Sequence, residues 1–333
     1  MKIRVTRLNI IRPMMKRVLL FLFSVSVFIL LLSFSGKNSE AQRAQIRTLI
    51  IDPGHGGIDP GARGEYSTEA EVSLAVAMKF GKAVQEAYPD LKIVYTRTTD
   101  VMAGNKRTKD EGLRYRANLA NESNGDLFIA IHCNSAPDIR HRTYIGSKSM
   151  TYYTGKGKKR RKVTRKVPQY RYWTTPNPAH GTETYIWAVN KNDAKVSAVN
   201  KTPSTDTLEY GEVDSTLNIE LPDPSDPAEK ARMLIYAQNY FKKSLSLADL
   251  VEREFIASGR FSRGVKQRNH AGIWVLQATG MPSILVEIGF ISHEEDEKYI
   301  NSDEGQQEIV NDLVGAFRAY KQKTESRSIS TTP

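Results

Sequence analysis

Apolar residues fall along this chain in short runs separated by glycine- and proline-containing turns, and the period of each run predicts an element. Thr48 to Asp52, centred on Leu49-Ile50-Ile51, has strand length and ends in a glycine turn. From Glu69 to Ala87 apolar positions recur at Val72, Leu74, Ala75, Val76, Met78, Phe80, Val84 and Ala87, which is helical spacing. Thr68 followed three residues later by Glu71 predicts a capping box, which gives Glu71 a local role and leaves Glu69 free to point elsewhere. Pro89-Asp90 breaks that helix, Leu91 to Thr96 predicts a second strand, Leu113 to Glu122 a second helix, and Leu127 to Ile131 a strand running into His132. Strand, helix, strand, helix, strand predicts an α/β fold with a single twisted, mostly parallel (mixed) sheet flanked by helices.

The alternation then stops. No acidic residue lies between Asp138 and Glu183, while Lys156 to Lys162, Arg165 and Lys166 crowd together with Tyr152, Tyr153, Tyr170, Tyr172 and Trp173. Residues 138–180 therefore predict a basic surface insertion rather than a second core. Thr182 to Trp187 predicts a strand, residues 190–226 are polar and proline-containing, and Pro227 to Ile256 predicts one long helix. Gly272 to Leu276 and Ser283 to Phe290 predict strands, Glu304 to Lys321 a final helix, and 324–333 a disordered tail. No internal repeat is visible.

Composition adds location rather than chemistry. The 333 residues carry a net charge of +11, with 40% hydrophobic and 26% charged, ordinary for a folded domain with a leaning toward anionic partners. Residues 1–17 are basic without an acid, Val18 to Phe34 is almost wholly apolar, and the small residue Ala41 follows. Residues 1–41 thus predict a secretory signal or an N-terminal anchor; the apolar run sits near the lower limit of about 17–25 residues for a bilayer span, which favours export. Cys133 is the one cysteine, so no intrachain disulfide can form, and no cysteine precedes it to carry an N-terminal lipid. A periplasmic domain stabilised by its core, residues 46–323, is the simplest expectation.

Candidate chemistry gathers where three apolar runs end. His55 lies in Ile51-Asp-Pro-Gly-His-Gly-Gly57, Leu127 to Ile131 runs into His132, and Ile284-Leu285-Val286 runs into Glu287. In α/β sheets ligands collect at the carboxyl ends of strands, so these side chains suggest one site. Two histidines and one carboxylate are a common zinc ligand set, and Glu69 offers the carboxylate. A further carboxylate is needed to take a proton from the attacking water and return it to the leaving nitrogen; Glu287 is placed for that role.

These motifs carry a resemblance. Asp52-Pro-Gly-His-Gly-Gly-Ile-Asp-Pro-Gly-Ala62, Glu69 five residues before Leu74, Arg116 before Ala120-Asn121, Asp126 to Asn134, Gly181-Thr-Glu-Thr-Tyr185 and Pro282 to Ser292 together resemble the zinc-dependent N-acetylmuramoyl-L-alanine amidases of cell-wall cleavage, the type that includes the division amidases. The resemblance spans about residues 46–323 apart from the insertion. It implies Zn²⁺ held by His55, Glu69 and His132, Glu287 as the catalytic glutamate, and hydrolysis of the amide joining the lactyl group of N-acetylmuramic acid to L-alanine of the peptidoglycan stem peptide. Ala70 and His293 depart from the family pattern, which often has Lys and Asn there.

The resemblance also implies that residues 190–226 can form an inhibitory element over the metal, displaced by an activator protein. The bland readings stand beside it. Cys133 alternates away from His132 and reads as a buried inert thiol; His270 and His293 read as structural or exposed, and His141 and His180 have no assigned role. Export argues against nucleic acid as partner of the basic insertion, leaving a solvated loop or a surface that steers the chain to anionic wall or outer-membrane phosphates. A peptidoglycan-binding protein without turnover and a zinc carboxypeptidase acting elsewhere on the stem peptide are the rival functions.

Overall fold

The structure, a computed structural model, describes residues 45–187, 227–268 and 273–327. The expected leader 1–41, the 190–226 segment and His270 lie outside the described residues. The elements in chain order are β1 (Thr48–Pro53), α1 (Glu69–Ala87), β2 (Lys92–Tyr95), α2 (Lys109–Glu122), β3 (Leu127–Asn134), β4 (Ile139–Thr154), β5 (Arg161–Thr175), β6 (Thr182–Ile186), α3 (Pro227–Ala257), β7 (Ser262–Gln267), α4 (Trp274–Ala278), β8 (Ser283–Phe290), α5 (Glu294–Asn301) and α6 (Asp303–Arg327). Among the described residues no helix is long and apolar enough to cross a membrane.

Six strands form one sheet in the order β2-β1-β3-β8-β6-β7. The pairs from β2 to β8 are parallel, and β6 runs antiparallel to β8 while pairing parallel with β7. This is the mostly parallel, mixed sheet that the strand and helix alternation predicts. β1 and β8 are buried along their whole length, as central parallel strands covered on both faces must be.

The period of two along each strand sorts the core into two layers. Leu49, Ile51, Leu127, Ile129, Ile131, Ile284 and Val286 pack in one cluster with Val72, Val76 and Phe80 of α1 and Leu313 and Phe317 of α6. Ile50, Phe128, Ala130 and Leu285 pack on the other side with Ala120 of α2 and Val275 and Leu276 of α4. Each fully buried side chain of this size contributes roughly 1.5–3 kcal/mol relative to exposure, so these layers can stabilise a domain whose lone cysteine is unpaired. Continuing the second layer's register toward the carboxyl ends brings Asp52, His132 and Glu287 onto the α2 and α4 side. There the apolar layer gives way to polar side chains.

Several boundaries differ from the sequence expectation. α2 begins at Lys109 rather than near Leu113, because a second capping box, Thr108 with Glu111, starts it on a polar first turn. Of the expected strand Gly272 to Leu276, the described residues 273–276 are not a strand. Trp274–Ala278 is a short helix there, a run too brief for periodicity to tell helix from strand. Polar β7 sits at the sheet edge, and α5, acidic in its first turn, is N-capped by His293 accepting from the Asp296 amide. α6 continues to Arg327, so the first residues of the expected disordered tail are helical. The basic insertion is not a loop either: β4 and β5 pair antiparallel as a separate two-stranded hairpin, with one register shift between Tyr144 and Gly146. Its two faces are both largely exposed, so no alternation of apolar and polar residues marks it.

Candidate metal centre

The turn after β1 carries His55 with a positive φ of 59°, a conformation that costs a non-glycine residue of order 1–3 kcal/mol unless its surroundings enforce it. Two buried arginines do so. Arg97 donates to the carbonyls of Pro53, Gly54 and Ala70, and Arg116 donates to the carbonyls of Pro53 and His55 while pairing with buried Asp52. Gly54 is required by close approach, since a Cβ there would lie 2.4 Å from the His132 ring. Gly61, at φ 67°, would likewise put a Cβ 2.6 Å from Glu69 Oε2.

Glu69 opens α1, where the positive end of the helix dipole favours a carboxylate. Its Oε2 accepts from the Ala62 amide at 2.9 Å and its Oε1 from the Cys133 amide at 3.2 Å. The same Oε1 lies 3.1 Å from His55 Nε2 and 2.7 Å from His132 Nδ1. The two imidazoles meet edge to face with centroids 5.0 Å apart. One ligand atom from each of His55, Glu69 and His132 lies within 4.8 Å of the others, so the three can share one metal ion. Burial raises the Glu69 carboxyl, but both histidines more than reverse this and hold it well below the usual range. Burial lowers His55, and Glu69 and Asp59 together outweigh it, so its pKa is raised. The buried Glu69 carboxyl and the half-buried His55 imidazole thus stabilise one another's charged forms.

Glu287 stands beside this cluster. β8 pairs Glu287 with His132 of β3 on one side and with Glu183 of β6 on the other. Its Oε2 is buried with no protein hydrogen-bond partner among the described residues, and burial first, then the charges of Glu69 and Glu183, push its pKa well above the ordinary value. Glu183, by contrast, accepts from Asn134 Nδ2 at 2.9 Å, Tyr185 Oη at 2.7 Å and Arg263 Nε at 2.5 Å. Of two adjacent carboxyls one is saturated with donors and the other is left open. A cleft of about 460 Å³ exposes the open one together with His55, Glu69 and His132, walled by Lys109, Arg268 and Trp274.

The structure therefore brings together His55, His132 and Glu287, which sequence placed where apolar runs end, and Glu69, which it placed at a helix start. Glu71 closes the capping box on Thr68, clear of the cluster, and Cys133 is buried on the opposite layer, its thiol pushed up by burial. His293 caps α5 and stacks on His180 at 5.1 Å, and His141 stacks on Trp173. Sequence reasoning singled out neither Asp59 nor Arg97 nor Glu183. Asp59, four residues after His55 in the same glycine-rich turn, meets His55 Nδ1 at 2.9 Å and Lys109 Nζ at 2.6 Å. A proton on Nδ1 shared with Asp59 leaves the Nε2 lone pair free for a metal. Asp59→Asn is expected to weaken metal binding by about 10–100-fold without unfolding the chain, measured by competition with a metallochromic chelator; unaltered affinity would deny Asp59 this orienting role.

The profile of the N-acetylmuramoyl-L-alanine amidase family matches residues 49–318. This chain belongs to that family. A germination-specific amidase of Bacillus subtilis is 34% identical to it over 127 residues, 36% of this chain and 51% of that protein. The amidase AmiC of Escherichia coli is 26% identical over 282 residues, 84% of this chain and 54% of that protein. The chain thus spans about half the length of these curated relatives. The CwlD amidase of Clostridioides difficile, solved in complex with the GerS lipoprotein, shares the fold with a TM-score of 0.50 and 19% identity, over 82% of this chain and 98% of that one.

Proposed function

We propose that this chain is an exported peptidoglycan amidase that cleaves the bond between the lactyl carbonyl of N-acetylmuramic acid and the nitrogen of L-alanine, using zinc held by His55, Glu69 and His132. The observation that carries the reading is the convergence of these three donors within 4.8 Å beside a buried, open carboxyl, in a chain of the amidase family. Two imidazoles and a carboxylate are a donor set suited to zinc, and three protein ligands leave room for a reacting group. When bound there, zinc supplies Lewis acidity that polarises a carbonyl and makes water acidic near neutral pH.

The protein's own part is proton handling and positioning. Glu287, open in the cleft beside the three donors, takes a proton from the attacking water in its ionised form and passes it to the departing alanine nitrogen. The Asp52, Arg97 and Arg116 network fixes His55, and Asp59 fixes its tautomer. Trp274 and Leu113 give the cleft an apolar wall, while Lys109 and Arg268 present cationic groups to an anionic stem peptide. An activator protein is part of this reading, since the CwlD amidase was solved with a lipoprotein partner.

Mass spectrometry of digested sacculi tests the proposal. The expected product is intact stem peptide with a free L-alanine amine. Cleavage further along the peptide would make the chain a carboxypeptidase or endopeptidase, and retention on sacculi without any product would make it a binding protein.

A further inference from the structure

The β4–β5 hairpin is outside everything the centre explains. Between Ile139 and Thr175 it holds twelve Lys and Arg and no Asp or Glu, against a net charge of +11 for the whole chain. The remainder is therefore close to neutral, and the basic character of the protein belongs to this arm. It is concentrated at the tip, where Lys156, Lys158, Lys159, Arg160, Arg161 and Lys162 fill all but one position of 156–162.

Large apolar and aromatic side chains flank that tip in water. Met150 is 53% exposed, Tyr152 41% and Tyr153 59%. Cross-strand partners share a face, and successive residues alternate. Met150 with Arg165 and Tyr152 with Val163 thus lie on one face, and Tyr153 with Lys162 on the other. A partner laid flat on either face would cover half of these groups and leave the rest in water. Entry of the tip end-on covers both faces at once. A zone that accepts tyrosine, methionine and lysine together is the headgroup layer of a bilayer, where aromatic side chains concentrate and anionic lipids attract basic ones. The outer edges of a two-stranded ribbon carry backbone groups without strand partners, which the hydrocarbon core would not tolerate and the hydrated headgroup layer does.

We propose that the β4–β5 hairpin is an arm that docks tip-first into the headgroup layer of a bilayer bearing anionic phospholipids. With strands of 16 and 15 residues at about 3.3 Å each, its tip reaches roughly 50 Å along the ribbon. The arm springs from the chain five residues after Asn134, next to the metal centre, so it holds the cleft at a set distance from the membrane. This inference does not depend on which bond the centre cleaves.

The test is co-sedimentation of the full chain with vesicles of phosphatidylcholine alone and with roughly one third phosphatidylglycerol. Residues 1–34, basic and then apolar, can bind too and favour the anionic vesicle, so the readout is the part of the difference that the tip substitutions remove. Binding to the anionic vesicles is expected to be at least about tenfold tighter and to fall as salt rises from about 0.05 to 0.5 M. Replacing the six tip Lys and Arg by Ser should lower the preference for the anionic vesicles by at least about tenfold, since each basic residue near an anionic surface is worth about fivefold in partitioning. Tyr152→Ser with Tyr153→Ser should reduce binding and leave its salt dependence. Hydrolysis of soluble muropeptides and the far-UV spectrum should be unchanged in both variants, which separates failure of the arm from failure of the centre. Equal partitioning on both vesicles, or a preference unchanged by the tip substitutions, would overturn the proposal. So would capture of soluble polyphosphate as tight as vesicle binding and indifferent to the tyrosines, which would mark a polyanion-binding arm. A dimer lost in the tip variants, without vesicle binding, would instead mark self-association and overturn it too.

Discussion

Replacing Glu287 by Gln is expected to lower kcat on muropeptides by about 10³–10⁴-fold while zinc content stays at one per chain. Glutamine preserves the volume of the side chain and its place between His132 and Glu183 in the sheet, but it can neither accept nor return a proton at neutral pH. A loss of that size corresponds to about 4–5.5 kcal/mol of barrier, in the range of a group that serves both halves of the proton transfer. Folding offers an internal control. An acid whose folded pKa is raised adds stability below its unfolded pKa and loses it as pH rises toward the folded value, so at neutral pH the buried carboxyl opposes folding. Metal-free Glu287→Gln should then melt no lower than metal-free wild type. A lower melting temperature with lost zinc would make Glu287 a structural support of the centre, and near wild-type turnover would remove it from the chemistry. The measurements are steady-state kinetics, metal analysis and a thermal melt on one preparation.

What sequence made legible follows the places where one physical demand dominates. β1, β3 and β8 are buried on both faces, so Leu49-Ile50-Ile51, Leu127 to Ile131 and Ile284-Leu285-Val286 read as apolar runs, and the polar residue that ends each run marks the site. Thr68 with Glu71 announced the start of α1 because a capping box is local chemistry. Where no single demand rules, the pattern was silent. β7 is a polar edge strand, α4 is barely more than a turn, and β4 and β5 solvate both faces. Both strands of that hairpin are recorded only in composition, as tyrosines and basic residues that meet in pairs such as Arg142 over Tyr170 and Arg160 over Tyr153.

The same division holds inside the centre. His55, His132 and Glu287 follow apolar runs and Glu69 opens a capped helix, so their meeting in one cleft could be proposed from sequence. Their supports could not, because each acts through distance. Arg97 follows a strand that sequence located, yet nothing local shows its guanidinium reaching the carbonyls of Pro53 and Gly54, more than forty positions back. Glu183 belongs to a motif that the resemblance supplied, and only the β6–β8 register shows it next to Glu287. A charged residue immediately after a strand, and an acid four positions from a histidine in a glycine-rich turn, are the sequence signals that point to Arg97 and Asp59.

The second large effect is expected from His132→Ala, which should remove bound metal and all measurable hydrolysis together. His132 supplies one of three donor atoms, and its Nδ1 is 2.7 Å from Glu69 Oε1, so its loss strips Glu69 of its closest basic partner as well as the metal of a ligand. A group that only orients a ligand is worth about 10–100-fold in affinity; a ligand itself should exceed that, so the variant ought to emerge from dialysis against a weak chelator without zinc. Packing adds a further penalty. Gly54 is bare because the imidazole fills the space where its Cβ would lie, and truncation leaves that space empty beside a carboxylate that burial already disfavours. The discriminating comparison is with His132→Gln, whose amide can refill the gap and hydrogen-bond Glu69 but is a poor zinc ligand. If the centre is a metal site, His132→Gln should recover melting temperature and not zinc or activity. Recovery of activity in His132→Gln, or zinc retained at wild-type affinity in His132→Ala, would mean that the three donors meet for structure alone.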